Sequence, residues 1–91
     1  MTILTDKEVI DVARNVAAAN GVSVAAVSTA TLDSPGSPVV EIRFVLTPGS
    51  SASIMGERSA RTVSQVIQQL ADKGEERFPI VRYEEKGAAR P

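Results

Sequence analysis

The sequence contains no histidine, no cysteine and no tryptophan among its 91 residues. Each absence removes a class of chemistry. Without histidine the commonest general base, the side chain whose unperturbed pKa lies near neutrality, is missing, and so is the imidazole that metals favour. Without cysteine there is no thiol nucleophile, no thiolate for zinc or an iron–sulfur cluster, and no disulfide framework. The lack of disulfides fits a reducing compartment, so the cytoplasm is the expected location. Aromatic residues make up only 3% of the chain, as Phe44, Phe78 and Tyr83, which leaves Val, Ile, Leu and Ala to build the core. No apolar run approaches the roughly 20 residues that span a bilayer. Residues 1–6 lack the basic-then-apolar pattern of a signal peptide, and no membrane association is expected.

Charge of one sign is also missing. Ten basic and eleven acidic side chains leave a net charge of −1, so no general attraction to nucleic acid or to an anionic membrane is expected. A chain of 91 residues fits a single domain. At that size roughly 60–65% of the unfolded surface becomes buried. A thin, aromatic-poor core of this kind often gains stability by oligomerisation.

What is present reads in order. Thr5 and Glu8 stand at capping-box spacing, and Val9, Ile10, Val12, Ala13, Val16 and Ala17 then form a stripe at helical period. Asn20-Gly21 supplies a left-handed stop, so the spacing predicts a helix over 6–19. Val22–Leu32 reads as a strand whose even positions (Val22, Val24, Ala26, Ala30, Leu32) face inward. A turn with two prolines, Asp33–Pro38, ends it. Val39–Thr47 alternates with Val40, Ile42, Phe44 and Leu46 on the covered face. After Pro48-Gly49 and the cap candidates Ser50-Ser51, a second helical stripe runs through Ala52, Gly56, Ala60, Val63, Val66, Ile67, Leu70 and Ala71 to Lys73-Gly74. Its interior glycine suggests a break or late start near residue 56. Phe78–Tyr83 is a last strand, placed at an edge because Pro79 has no N–H to donate. Residues 84–91 read as a frayed tail.

The fold class expected is α+β: one α-β-β-α-β domain with a three-stranded mixed sheet in order 1-2-3 and two helices on one face. A right-handed strand-helix-strand crossover makes the last strand parallel to the middle one. The expected core comprises Val9, Ile10, Ala13, Val16, Val40, Ile42, Phe44, Leu46, Val63, Ile67 and Leu70. The other sheet face is left open, carrying Ala25, Val27, Thr29, Val39, Glu41, Arg43 and Val45. Its valines Val27, Val39 and Val45, together with the Ile54-Met55 pair, are the candidate partner-binding residues, because an exposed apolar patch marks a protein contact.

Residues 54–63, Ile-Met-Gly-Glu-Arg-Ser-Ala-Arg-Thr-Val, place a hydrophobic pair before a glycine, a basic turn and an amphipathic helix. That segment, with the element order, resembles the RNA-clamping loop of KH domains in their prokaryotic form. The resemblance implies single-stranded RNA binding through Gly56, Arg58 and Arg61. Ser59 stands where the second glycine of that loop belongs, and Glu57 sets a negative charge beside the phosphate path. Arg58, Arg61, Gln65 and Gln68 share one helix face, which reads as a solvated face with an i,i+4 Glu57–Arg61 pair. Pro48–Ser51 could hold an anion on free amides, or simply cap the helix. Residues 46–50 are similar to the strand-end loop of iron–sulfur assembly domains, which use a cysteine absent here.

Catalysis finds no support. Ser50, Ser51 and Ser53 have no histidine to activate them, and Glu75-Glu76 and Glu84-Glu85 fall in an expected loop and tail without an apolar pocket to raise a pKa. No cofactor or metal is expected. The function read from the sequence is a non-enzymatic interaction module, a homodimer or an accessory subunit, with a KH-like RNA binder as the competing reading.

Overall fold

The computed structural model describes residues 3–32, 38–48 and 57–85. Helix α1 (Asp6–Ala19) is followed by strands β1 (Val24–Leu32) and β2 (Val39–Leu46), helix α2 (Glu57–Asp72) and strand β3 (Phe78–Glu85). The capping box forms as the spacing predicts. Thr5 Oγ1 accepts from the Glu8 amide at 3.1 Å, and the Glu8 carboxylate accepts from the Thr5 amide at 2.9 Å.

Both helices end in the same way. Gly21 and Gly74 adopt φ of 72° and 93°, conformations that cost other L-residues free energy. At the end of α1, Val22 N–H donates to the Ala17 carbonyl and Gly21 N–H to that of Ala18. At the end of α2, Glu75 N–H donates to the Leu70 carbonyl and Gly74 N–H to that of Ala71. These are Schellman motifs, which satisfy orphan carbonyls and fold the following residue back under the helix. In α1 that residue is Val22, which joins the core. In α2 it is Glu75, a charge.

The sheet order is β1-β2-β3, with β1 antiparallel and β3 parallel to β2. This is the expected α+β architecture. Val40, Ile42, Phe44 and Leu46 are all buried on the helix side of β2, so the residues between them face away from the helices. Phe78 N–H donates to the Pro38 carbonyl. The alternation of a parallel ladder then turns the backbone groups of residues 79, 81 and 83 toward the free edge. Pro79 therefore loses no ladder bond, which is why an edge strand accommodates it.

One expectation fails along β1. Val24 pairs with Leu46 and Ala26 with Val45, so Ala25 is an extra residue in a β-bulge. A bulge advances the strand by one position and moves every later side chain to the opposite face. Val27 thus pairs with Phe44 and is buried in the core rather than standing on the open face. Thr29 likewise lies on the covered side opposite Ile42, while Ala26, Ala30 and Leu32 are exposed.

The core joins Val9, Val12, Ala13, Val16 and Ala17 of α1 to the inward residues of β2 and to Val66 and Leu70 of α2. Helix α2 is rotated from the expected stripe. Thr62, Val66 and Leu70 are its buried line, Val63 and Ile67 are half-buried, and Ala60 and Ala71 are exposed. Thr62 is tolerated there because its hydroxyl donates to the Arg58 carbonyl at 2.9 Å, an i−4 bond that satisfies a buried polar group. Ile10 of α1 is also only half-buried. Strand β3 continues through Glu84 and Glu85, two residues beyond the expected end.

Candidate interaction surface

Register places four cross-strand rows on the sheet face opposite the helices. Leu32, Val39 and Phe78 form the first; Ala30, Glu41 and Ile80 the second; Ser28, Arg43 and Arg82 the third; and Ala26, Val45 and Glu84 the fourth. The face is divided by chemistry. The first row is wholly apolar and borders Ile80 in the second. Leu32 is 42% and Phe78 61% exposed, areas that water does not favour.

Beyond this apolar end lies a charged one. The Glu41 carboxylate accepts from Arg43 Nη2 at 3.1 Å and from Arg82 Nε at 2.5 Å. Arg43 and Arg82 are directly opposed across the β2–β3 pair. Like charges in that position are unfavourable, and Glu41, with a side chain only 13% exposed, lies between them as the bridging anion.

Next to the apolar end lies a buried ion pair. Arg77 Nε and Nη2 donate to the two oxygens of Glu75 at 2.9 and 2.8 Å, Nη2 also to the Leu4 carbonyl at 3.1 Å, and Nη1 to Thr31 Oγ1 at 2.6 Å. Glu75 further accepts from the amides of Leu4 at 3.1 Å and Arg77 at 2.8 Å. Each Glu75 oxygen accepts two hydrogen bonds and four of the five Arg77 N–H donors are used, as a buried charge requires. These bonds hold the Glu75 carboxyl down at about 2, the Arg77 side chain being the largest cause. The network ties the N-terminal segment, the end of β1 and the entry to β3 together. Ile3, Leu32 and Phe78, which are the exposed large hydrophobic residues among those described, each adjoin in sequence one of its members, Leu4, Thr31 and Arg77.

Of the residues singled out from the sequence, Val39 lies within the apolar end and Val45 lies three rows away, beside Ala26 and Glu84. Val27 is in the core. Ile54, Met55 and Gly56 fall outside the described residues, as does the Gly49–Ser51 part of the turn. Arg58 and Arg61 are exposed on the first turns of α2, and Arg61 Nη2 lies 3.5 Å from the Glu57 carboxylate. Gln65 accepts from Asn20 Nδ2, and Gln68 donates to Asp72, so the polar face of α2 is engaged internally. Sequence reasoning missed Leu32, Phe78 and Ile80. The alternation of Phe78, Ile80 and Arg82 against Pro79, Val81 and Tyr83 could have found the last two, but both sets are apolar enough to face inward.

Among the described residues there is no cluster of carboxylates arranged to hold a metal ion, and no helix is long and apolar enough to cross a membrane. No protein-family model matches the chain, and neither does any curated protein or solved structure.

Proposed function

We propose that this chain is a non-enzymatic protein-interaction module that uses the apolar end of its open sheet face to contact a second copy or a partner subunit of a larger assembly. The observation that carries this reading is the wholly apolar row Leu32–Val39–Phe78, with Leu32 and Phe78 exposed, beside a buried ion pair. Rigid apolar anchors lose little entropy on binding, which is what makes an aromatic such as Phe78 effective at a contact. Tagged wild type recovered from its native host is expected to carry a stoichiometric partner or to sediment as an oligomer at micromolar concentration. Phe78→Glu is expected to weaken the association made through this face, with a partner subunit or between copies beyond a dimer, by about 10- to 100-fold, with the thermal midpoint unchanged within a few degrees. A clean wild-type monomer that co-purifies with nothing overturns the reading.

The KH-like alternative has the element order α-β-β-α-β in its favour. Against it stand the net charge of −1 and the pairing of Arg61 with Glu57. In a fluorescence titration with short mixed-sequence RNA at low salt, no binding is expected. Saturable binding that weakens with salt and disappears in Arg58→Ala/Arg61→Ala would replace the module reading, since phosphate contacts release counterions.

A further inference from the structure

Strand β1 is an edge strand of nine residues with no charged side chain and no proline, in a protein whose residues are 23% charged. Soluble proteins protect exposed edges with charge, proline, bulges or a covering element. The opposite edge is protected in this way, since β3 carries Pro79, Arg82, Glu84 and Glu85. The one irregularity in β1 is the bulge at its start, and the strand is regular from Ala26 to Leu32.

Which backbone groups of β1 are free follows from the ladders. Phe78 N–H bonds the Pro38 carbonyl, so the even residues of β2 address β3 and the odd ones, Val39, Glu41, Arg43 and Val45, address β1. Their partners Leu32, Ala30, Ser28 and Ala26 point back at β2. Val27, Thr29 and Thr31 therefore aim their N–H and C=O groups out of the sheet. This set is symmetric about Thr29.

We infer that β1 pairs antiparallel with β1 of a second copy of this chain, about a two-fold axis at Thr29, joining two three-stranded sheets into one. Thr29 then faces its own copy, and Val27 faces Thr31 of the other chain in both directions. Each of these residue pairs exchanges two hydrogen bonds, so every free group in the regular part of the strand is used. On the open face Ser28 meets Ala30 of the second copy and Leu32 meets Ala26. No like charges oppose each other, a condition that a self-paired strand satisfies only when it lacks charge or arranges it symmetrically. A foreign strand, in contrast, would find no charge on this edge to select it. A second observation marks the same residue. Thr29 Oγ1 is buried in the single chain without a hydrogen-bond partner among the described residues, and a χ1 rotation on pairing would turn it toward the opposed Thr29 hydroxyl, since Thr–Thr pairs across antiparallel strands hydrogen-bond. The inference goes beyond the reading of the open face, because edge and face can each bind without the other.

The test is sedimentation equilibrium from about 1 to 100 µM, a range spanning typical weak dimers, on wild type, Ser28→Lys/Ala30→Lys and Phe78→Glu. Ser28 and Ala30 are exposed, and the lysines face each other across the proposed two-fold; because position 28 lies opposite Arg43, a urea titration of the variant checks that the monomer keeps its fold. A dimer is expected for wild type, with the double-lysine variant weakened by about tenfold or more and Phe78→Glu leaving it in place. Because the chain has no cysteine, Thr29→Cys gives a second measurement. Directly opposed hydrogen-bonded residues have Cα atoms about 5.5 Å apart, within disulfide range, so diamide is expected to cross-link this variant and not Ser64→Cys on α2. A monomeric wild type, or absence of the Thr29→Cys cross-link, overturns the inference. A dimer that survives the lysines but is lost in Phe78→Glu overturns it too, while supporting the face reading.

Discussion

Arg77→Ala is expected to remove about 3–5 kcal/mol of folding stability, a large share of what a small domain possesses. The guanidinium is buried, and four of its five N–H donors are engaged. Truncation leaves the Glu75 carboxylate buried with only the Leu4 and Arg77 amides as donors, and it removes the side-chain donor of the Leu4 carbonyl as well. An uncompensated buried charge is more damaging than loss of the pair. Glu75→Ala/Arg77→Ala is therefore expected to fall well short of the sum of the two single losses. Urea unfolding of the three variants measures this, and simple additivity would show that the pair does not act as a unit.

The same network is expected to make the protein acid-sensitive. The Glu75 carboxyl is lowered from 4.5 to about 2 in the folded chain, so the folded state holds the carboxylate more strongly than the unfolded state does. Its contribution, on the order of 3 kcal/mol, is fully present above the unfolded value. It is lost progressively as pH falls from about 4.5 toward about 2. Arg77 stays protonated throughout. In Glu75→Gln that part of the acid dependence is expected to vanish, and urea midpoints at neutral pH and through the acid range compare the two proteins directly. An unchanged acid slope in the variant would assign the sensitivity to other carboxylates.

Local signals in the sequence were sufficient for much of this fold. The Thr5–Glu8 capping box, the Asn20-Gly21 stop, the alternation through Val40, Ile42, Phe44 and Leu46, and the edge position of Pro79 each depend on a few adjacent residues. Features set by distant partners were not legible. The bulge at Ala25 lies in a run of small and β-branched residues that fits either phase equally well, and the choice is made by pairing with Val45 and Leu46. That single residue moved Val27 into the core and Leu32 onto the open face. The phase of α2 was obscured because Thr62 reads as polar until its bond to Arg58 is known. Glu75 beside Glu76 reads as a solvated acidic pair, and its partner at Leu4, 71 residues away, leaves no local trace. The candidate surface was thus legible at Val39 and hidden at Leu32 and Phe78.

The two phenylalanines separate stability from contact, and Phe44→Ala carries the second large expected effect. Phe44 is fully buried on β2, the central strand of the sheet, flanked by Val27 and stacked on Tyr83 with ring centroids 5.5 Å apart. In a core otherwise made of aliphatic side chains no other group has the volume to refill that space, so the truncation is expected to cost about 3–5 kcal/mol through lost transfer energy and a residual cavity. The stack also seats Tyr83, whose hydroxyl lies 3.4 Å from the Ser59 carbonyl of α2, so the loss should loosen α2 over β3. Tyr83 is the chain's one tyrosine and there is no tryptophan, so near-ultraviolet dichroism reports that loosening from a single site. Phe78→Ala, at a side chain 61% exposed, is expected to change stability by no more than about 0.5 kcal/mol and to leave the tyrosine signal intact. Equal destabilisation by the two substitutions, measured by urea titration, would mean that Phe78 is part of the folded core and would withdraw it from the candidate surface.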